Sequence, residues 1–218
     1  MKKNINYINY NEITPLCEIM GRNQSDKGNI NPEKTHHNYS ILYYNLFNDI
    51  KNENIRIFEL GLGTNNINFP SNMGANGRPG ASLYGWSEFF PNATVIGADI
   101  DKDILFNTDK IQTFFCDQRD SNVINNMWNQ KELQENFDII IEDGLHEFDA
   151  NVTFFENSIH KLKSNGYYIM EDLINPQNNF PEKIKEWQIK YPNCTFELVY
   201  LPKKINQGDN NVLVVYKR

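Results

Sequence analysis

The sequence has no long hydrophobic run. No stretch approaches the roughly 20 apolar residues that a membrane-spanning helix needs. The amino-terminal segment MKKNINYINYNEITPL contains two lysines but neither an apolar core nor a small-residue cleavage site. We therefore expect no membrane span and no secretion signal, which predicts a cytoplasmic protein.

Cysteine is scarce. The three cysteines, Cys17, Cys116 and Cys194, lie far apart, and none belongs to a CxxC pair. An odd number of widely spaced cysteines excludes a disulfide framework and a cysteine zinc site. We expect reduced thiols, in agreement with a cytoplasmic location.

Basic residues are fewer than acidic ones. Lys and Arg number 21 against 28 Asp and Glu, which gives a net charge of -7. A nucleic acid or an anionic membrane would require a basic face, so neither is expected as a partner. A chain of 218 residues with 39% hydrophobic residues can bury one core. We expect a homo-oligomer that acts on a small molecule.

Short apolar runs and helical patterns alternate from residue 54 onward. Predicted strands lie at residues 55–60, 94–100, 111–117, 137–143 and 166–172, and helical patterns at 82–90, 121–134, 149–164 and 181–191. Such alternation predicts parallel strands joined by crossovers. Two last strands, 195–200 and 211–217, have no helix between them. The predicted fold is α/β: a Rossmann-like, doubly wound, mostly parallel seven-stranded sheet with a C-terminal antiparallel hairpin, as in class I methyltransferases.

Residues 1–53 differ from the rest of the chain. They are polar and turn-rich up to about Glu33, after which apolar residues recur with the spacing of a helix face, at Tyr39, Leu42, Tyr43, Leu46, Phe47 and Ile50. We therefore predict an N-terminal cap segment, 1–53, with a short helix, and a domain at 54–218 that contains the sheet.

A glycine loop follows the first predicted strand. It reads Glu59-Leu60-Gly61-Leu62-Gly63, and glycine lets the backbone turn sharply and approach a ligand. The third glycine of the dinucleotide fingerprint is replaced by Asn66, and Asp99 follows Gly61 by 38 residues where about 20 is usual. The loop alone is a weak signal, but these departures disfavour a nicotinamide cofactor.

S-adenosylmethionine fits this loop better because it has no phosphate. It needs backbone room at its methionine part and a carboxylate for its ribose hydroxyls, which Asp99 offers at the end of the second strand. Asp117, next to Gln118 at the end of the third strand, is placed to accept a hydrogen bond from the adenine amino group. Domain 54–218 is therefore predicted to bind S-adenosylmethionine.

Carboxylates and a histidine follow the fourth and fifth strands. Asp143 and His146 come after FDIIIE, and Glu171 and Asp172 come after GYYIM. So many like charges at one sheet edge are costly unless a cation neutralises them or some of the carboxylates hold protons. A metal is the simpler explanation, and oxygen ligands favour Mg²⁺, then Mn²⁺ or Ca²⁺. His146 could then deprotonate a hydroxyl that the metal orients. Taken singly, such an acid can also be a helix cap or turn former.

At these residues the sequence resembles the metal-dependent class I sugar O-methyltransferases of macrolide tailoring, the mycinamicin and macrocin enzymes, and related enzymes of surface-glycan biosynthesis. The resemblance covers residues 21–173, through SDKG, FELGLGTNN, GASL, IGADID, CDQ, EDGLH and MEDL. It implies Mg²⁺ ligands at Asp143, Glu171 and Asp172, with His146 as general base. Cofactor contacts are implied at Glu59, Gly61, Gly63, Ser82, Asp99, Asp117 and Gln118.

Two further segments are candidates for the site. SDKG and the following HNY are expected to fold over the cofactor, with Lys27 as partner of its methionine carboxylate. The glycine- and asparagine-rich segment 68–81 is either part of the acceptor pocket or a plain surface loop.

The sequence thus predicts an S-adenosylmethionine-dependent, Mg²⁺-assisted O-methyltransferase. The expected acceptor is a hydroxyl of a sugar or nucleotide-linked sugar, in capsule or other glycan biosynthesis or on a natural-product sugar. Two alternatives remain: a non-catalytic binding or scaffold protein of the same fold, and an NAD-dependent oxidoreductase.

Overall fold

The computed structural model describes residues 2–28, 37–174, 179–202, 208 and 210–218. Within them, seven strands are formed: β1 Arg56–Leu60, β2 Thr94–Asp99, β3 Ile111–Phe115, β4 Phe137–Glu142, β5 Leu162–Met170, β6 Cys194–Tyr200 and β7 Asn211–Lys217. The α-helices of the same residues are α1 Pro15–Arg22, α2 Tyr39–Phe47, α3 Ala81–Phe89, α4 Ser121–Trp128, α5 Phe148–Ser158 and α6 Phe180–Lys190.

All seven strands belong to one sheet, in the order β3-β2-β1-β4-β5-β7-β6. The first five strands pair in parallel, and β7 is antiparallel to both β5 and β6. The strand order reverses direction between β1 and β4, which is where an open α/β sheet forms a ligand crevice. The predicted class I methyltransferase fold is confirmed.

Apolar layers cover both faces of the sheet. On one face, α1, α2 and α3 pack against it through side chains such as Leu42 and Trp86. On the other face lie α4, α5 and α6, with Trp128, Phe154 and Trp187 in the core. A parallel sheet needs this double cover because its strands are apolar on both sides. All three cysteines are free thiols, and all three are buried.

The amino-terminal segment contains a helix that the sequence analysis missed. In α1 the Thr14 side chain accepts from the Cys17 amide, Pro15 occupies the first turn, and Leu16 and Met20 are buried. Both α1 and α2 belong to the same apolar core as β1. The predicted helix α2 is confirmed, with Leu42 and its apolar neighbours buried.

Two predicted helices are shorter than expected. Helix α4 ends at Trp128, and only a short 3-10 turn, Lys131–Leu133, continues the predicted pattern. Helix α5 ends at Ser158, and Leu162 begins β5 instead, where it pairs with Phe137. Apolar residues continue at helical spacing after Ser158, but pairing with β4 makes the backbone from Leu162 onward a strand. No helix in the described parts of the chain is long and apolar enough to cross a bilayer.

Candidate active site

A pocket opens at the carboxyl ends of the parallel strands. Its walls come from the loops that follow β1, β2, β3 and β4, and part of segment 68–81, including Phe69 and Met73, closes one side. Nine of the residues predicted from the sequence line it: Gly61, Gly63, Ser82, Asp99, Asp117, Gln118, Asp143, His146 and Asp172.

The glycine loop has the backbone that its sequence predicts. Gly61 and Gly63 have φ angles of 90° and 76°, which L side chains rarely adopt. A Cβ at Gly61 would lie 1.8 Å from the carbonyl oxygen of Asp143. The loop after β1 therefore touches the residue that follows β4, and only glycine allows this approach.

Asp99 joins the glycine loop to the end of β2. Its two carboxylate oxygens accept from the backbone amides of Leu62, at 2.7 Å, and Asp101, at 2.8 Å. Burial raises its pKa, and these amide hydrogen bonds counteract that effect. Asp117 forms a bidentate pair with Arg119, with N···O distances of 2.9 and 2.8 Å, and the pair lowers the Asp117 pKa.

Asp143, His146 and Asp172 converge on one point of the pocket. His146 Nε2 lies 3.1 Å from Asp143 Oδ1 and 3.5 Å from Asp172 Oδ2. One ligand atom from each residue can be chosen so that all three lie within 4.8 Å of one another. A buried and a half-buried carboxylate beside an imidazole are a donor set that suits a divalent cation. The residues present therefore fit the metal that the sequence predicts.

The backbone at this point is strained. His146 has a φ angle of 61° and Asp172 one of 50°, in the left-handed region that only a few per cent of non-glycine residues adopt, although Asp and His are enriched there. Each such conformation costs of order 1–3 kcal/mol and persists where the surrounding fold enforces it. Both side chains point into the pocket, so the strain lies where the chemistry is predicted.

Neighbouring charges together shift the pKa values of His146 and Asp143 more than burial does. Burial alone would lower the His146 pKa, but the hydrogen bond to Asp143 and the nearby carboxylates raise it to about 9. Burial alone would raise the Asp143 pKa, but the charges of Lys27 and His146 lower it to about 2. The pair therefore holds a proton on the imidazole and a negative charge on Asp143 near neutral pH.

Lys27, Glu59 and Glu171 lie beneath the pocket instead of lining it. The Lys27 ammonium is 2.6 Å from Glu171 Oε2 and 3.7 Å from Glu59 Oε1, and it also contacts Asp143 Oδ2. Only 1% of Lys27 is exposed. The sequence analysis expected Lys27 on the cofactor's methionine carboxylate; the structure places it on protein carboxylates, because three buried acids surround its ammonium.

Glu171 takes a different position from the other two predicted metal ligands. Its oxygens accept from Lys27 and from the Tyr43 hydroxyl, and it lies outside the group formed by Asp143, His146 and Asp172. Both Glu171 and Asp172 follow the end of β5, and of the two only Asp172 lines the pocket. Glu171 therefore contacts the group through Lys27, which it shares with Asp143.

Two predicted cofactor residues are held by hydrogen bonds within the protein. Glu59 is fully buried and accepts from Ser82 Oγ, at 2.5 Å, and from the Trp86 indole. Glu59 thereby supports Ser82, which does line the pocket. Gln118 accepts from the Leu145 amide, at 2.6 Å, and donates to Glu142, at 3.0 Å. It fixes the loop that carries His146.

The structure adds residues that the sequence analysis did not assign to the site. Arg78, from segment 68–81, lines the pocket, stacks on the Tyr84 ring at 4.9 Å and donates to the Asn23 carbonyl oxygen. Across the described residues, no carboxylate lies within 4.0 Å of its guanidinium. Tyr39 and Tyr43 of α2 donate to Asp172 and Glu171. Their apolar spacing predicted only a buried helix face.

No family model matches the chain. Curated relatives include the 8-demethyl-8-(2-methoxy-alpha-L-rhamnosyl)-tetracenomycin-C 3'-O-methyltransferase of Streptomyces olivaceus, 27% identical over 158 residues, which are 72% of this chain and 36% of that protein. The L-olivosyl-oleandolide 3-O-methyltransferase of Streptomyces antibioticus is 29% identical over 163 residues, 74% of this chain and 38% of that protein. The chain spans little more than a third of the length of these relatives.

Solved structures show the same fold. The MycE methyltransferase of the mycinamycin biosynthetic pathway, in complex with Mg and SAH, matches with a TM-score of 0.70 at 23% identity, covering 94% of this chain and 55% of that one. Its complex with Mg, SAH and mycinamycin VI gives a TM-score of 0.69 at 22% identity, with coverages of 94% and 54%. The chain therefore has the class I methyltransferase fold, and its sequence is similar to these sugar O-methyltransferases over about three quarters of its length.

Proposed function

We propose that this protein is an S-adenosylmethionine-dependent, metal-assisted O-methyltransferase that acts on a sugar hydroxyl. The observation that carries the proposal is the position of Asp143, His146 and Asp172 in the pocket that the glycine loop also lines. A binding or scaffold protein would not need two carboxylates together in that pocket, where their like charges are costly. The cofactor loop and the base therefore belong to one reaction site.

In this proposal, different strand ends bind the cofactor and the cation. Asp99 and Asp117, after β2 and β3, would bind the ribose hydroxyls and the adenine amino group of the cofactor. Asp143 and Asp172, after β4 and β5, would hold the divalent cation, preferably Mg²⁺. Glu171 adds negative charge beneath them and is a further candidate ligand. Cofactor and acceptor thus meet above β1 and β4, at the switch point of the sheet.

His146 is the proposed general base. Its Nε2 faces two carboxylates, which only accept hydrogen bonds, so without a cation this nitrogen carries a proton. With a cation on those carboxylate oxygens, Nε2 would be free to accept the proton of the acceptor hydroxyl. When a divalent cation is bound, it supplies positive charge that lowers the pKa of the hydroxyl and of the neighbouring imidazole. Asp143 fixes the imidazole orientation and stabilises the imidazolium after proton transfer. Bound S-adenosylmethionine supplies the electrophilic methyl group.

Arg78 is the proposed partner of the cofactor's methionine carboxylate. It lines the same pocket as Gly63 and Ser82, and its guanidinium has no carboxylate partner within the described residues. A guanidinium can bind a carboxylate with two parallel hydrogen bonds. This assignment replaces Lys27, whose ammonium is already surrounded by protein carboxylates.

The proposed methyl acceptor is a hydroxyl group of a sugar. Relatives that match the chain are named for methylation of sugars on antibiotics, and a surface-glycan or capsule precursor, in the cytoplasm, is the corresponding proposal here. Phe69, Ser71 and Leu145 line the side of the pocket next to His146, and Ser71 Oγ donates to the Leu145 carbonyl oxygen at 3.0 Å. Segment 68–81 is therefore the proposed wall of the acceptor pocket.

The first test is calorimetric titration with S-adenosylhomocysteine, with NAD⁺ as the comparison ligand. We expect micromolar binding of S-adenosylhomocysteine alone, and at least tenfold weaker binding to Asp99→Ala. The matched control is Asp103→Ala, a solvent-exposed acid in the turn after β2. Binding of NAD⁺ would favour an oxidoreductase, and binding of neither ligand would favour a scaffold protein.

The second test is methyl transfer to a panel of sugars and nucleotide-linked sugars, read as release of S-adenosylhomocysteine. We expect turnover with Mg²⁺, loss of turnover in excess EDTA, and recovery on addition of Mg²⁺. Asp172→Asn should need a higher Mg²⁺ concentration, whereas Asp149→Asn, on the exposed side of α5, should behave as the native protein. Full turnover in EDTA would contradict the metal assignment.

A further inference from the structure

Helix α2 reaches the acidic residues of the site through two tyrosines. Tyr39 and Tyr43 are four residues apart and so lie on the same face of the helix. The Tyr39 hydroxyl donates to Asp172 Oδ1, and the Tyr43 hydroxyl donates to Glu171 Oε1. Both tyrosines are at most 1% exposed, so these contacts are shielded from water.

In both Asp172 and Asp143, one carboxylate oxygen faces the pocket and the other faces the amino-terminal part of the chain. Asp172 turns Oδ1 to Tyr39 and Oδ2 to His146, and Asp143 turns Oδ2 to Lys27 and Oδ1 to His146. The oxygens that face His146 are the ones available to a cation in the pocket. The other oxygens are held from behind by the amino-terminal part of the chain.

Tyr39 also contacts the backbone of Asp172. Asp172 has a φ angle of 50°, and its amide lies 3.3 Å from the Tyr39 hydroxyl oxygen, which it can use as acceptor. Tyr39 therefore contacts both the side chain and the backbone of the strained residue. Ring packing secures Tyr43, whose ring lies 5.7 Å from Phe47 and 5.4 Å from Trp86.

We propose that Tyr39 and Tyr43 are positioning residues for divalent-cation binding: the Tyr39 hydroxyl aims the Asp172 carboxylate, and the Tyr43 hydroxyl holds Glu171 against the Lys27 ammonium that contacts Asp143. The inference rests on the proposed function, because it concerns the same metal site. Groups that hydrogen-bond to metal ligands commonly change metal affinity by 10–100-fold when they are removed. The cap segment is then part of the metal site, although none of its side chains needs to touch the ion.

The test compares Tyr39→Phe and Tyr43→Phe with the native protein and with Tyr44→Phe. Tyr44 is on the same helix, is half-buried, and packs on Phe89 at 6.2 Å between ring centroids. The probe is Mn²⁺, and its affinity is measured by calorimetry and by electron paramagnetic resonance without cofactor or acceptor. Thermal unfolding of each variant is recorded in EDTA, and S-adenosylhomocysteine affinity is measured under the same conditions.

We expect Mn²⁺ binding to weaken about tenfold in Tyr39→Phe and in Tyr43→Phe and to stay unchanged in Tyr44→Phe. S-adenosylhomocysteine affinity in EDTA should stay within twofold of the native value in all three. Native Mn²⁺ affinity in both Tyr39→Phe and Tyr43→Phe would overturn the inference, as would an equal loss in Tyr44→Phe. If the native protein binds S-adenosylhomocysteine but no Mn²⁺, the metal part of the proposed function fails and the inference fails with it.

Discussion

Lys27 Nζ lies 2.6 Å from Glu171 Oε2, although 144 positions separate the two residues in the chain. The ion pair is buried, and the same ammonium contacts Asp143 on its other side. An amino-terminal lysine thus joins the ends of β4 and β5 from below. The contact ties the cap segment to the site by charge as well as by apolar packing.

Loss of this ammonium should destabilise the fold. Lys27→Met leaves the buried Glu171 and the half-buried Asp143 without their cation, and removing one partner of a buried ion pair costs about 3–5 kcal/mol. We expect this loss in the free energy of unfolding, measured with urea in EDTA. The control Lys185→Met breaks an exposed i,i+3 pair with Glu182 and should cost at most about 0.5 kcal/mol. Part of the loss should return in Lys27→Met/Glu171→Gln, because one unpaired charge is removed.

His146 should matter for turnover and not for cofactor binding. Replacing it with Ala removes the proposed base, and general base catalysis contributes roughly 10²–10⁴-fold to a rate. We expect turnover to fall by at least about 100-fold, with S-adenosylhomocysteine affinity within twofold of the native value. His160→Ala, on an exposed position after α5, is the matched control. Native turnover in His146→Ala would remove its assignment as the base.

Arg78 should recognise the amino-acid part of the cofactor. Arg78→Ala removes a charge-assisted contact of about 1.5–3 kcal/mol, so we expect S-adenosylhomocysteine to bind at least about tenfold more weakly. Methylthioadenosine has the nucleoside part but no carboxylate, and its affinity should not change. Equal weakening of both ligands would mean that Arg78 supports the shape of the pocket and does not bind the carboxylate. Both affinities come from the same calorimetric titration.

Stability should depend on pH through Glu156, far from the pocket. Burial would raise its pKa, but Lys190, Trp187 and Lys183 lower it from 4.5 to about 2. A depressed pKa stabilises the fold above pH 4.5, and this contribution is lost as the pH falls toward 2. Glu156→Gln should therefore cost about 1 kcal/mol at pH 7, after allowance for solvent screening, and nothing below pH 2. Urea unfolding at several pH values measures the difference in free energy of unfolding between the native protein and Glu156→Gln. A difference that does not change with pH would contradict the charge effect.

The strand-end residues of the site were predictable because topology brings them together. Once the pattern predicts parallel strands, the carboxyl ends of β1, β2, β4 and β5 must meet at one edge. Asp99, Asp143 and Asp172 could therefore be placed from the sequence. The pattern could not show which oxygen of each carboxylate faces the pocket, since this depends on donors elsewhere in the chain.

The contribution of the cap segment was not predictable in the same way. The spacing pattern treats tyrosine as an apolar residue, so it could not predict the hydrogen bonds of the Tyr39 and Tyr43 hydroxyls. Helix α1 did leave a signal, since Thr14 followed by Pro15 is a typical helix start. The contacts of Lys27 and Arg78 depend on side chains brought together over long sequence separations. Local spacing contains no information about such contacts.

The left-handed backbone at His146 and Asp172 has a consequence for engineering. Glycine adopts this conformation at no steric cost, so a substitution to glycine would relieve backbone strain at either position. Such substitutions would also remove the proposed base or a proposed metal ligand. Stabilising this chain while keeping its proposed chemistry therefore requires both positions to be held fixed, because the backbone there favours glycine while the proposed reaction needs the side chains.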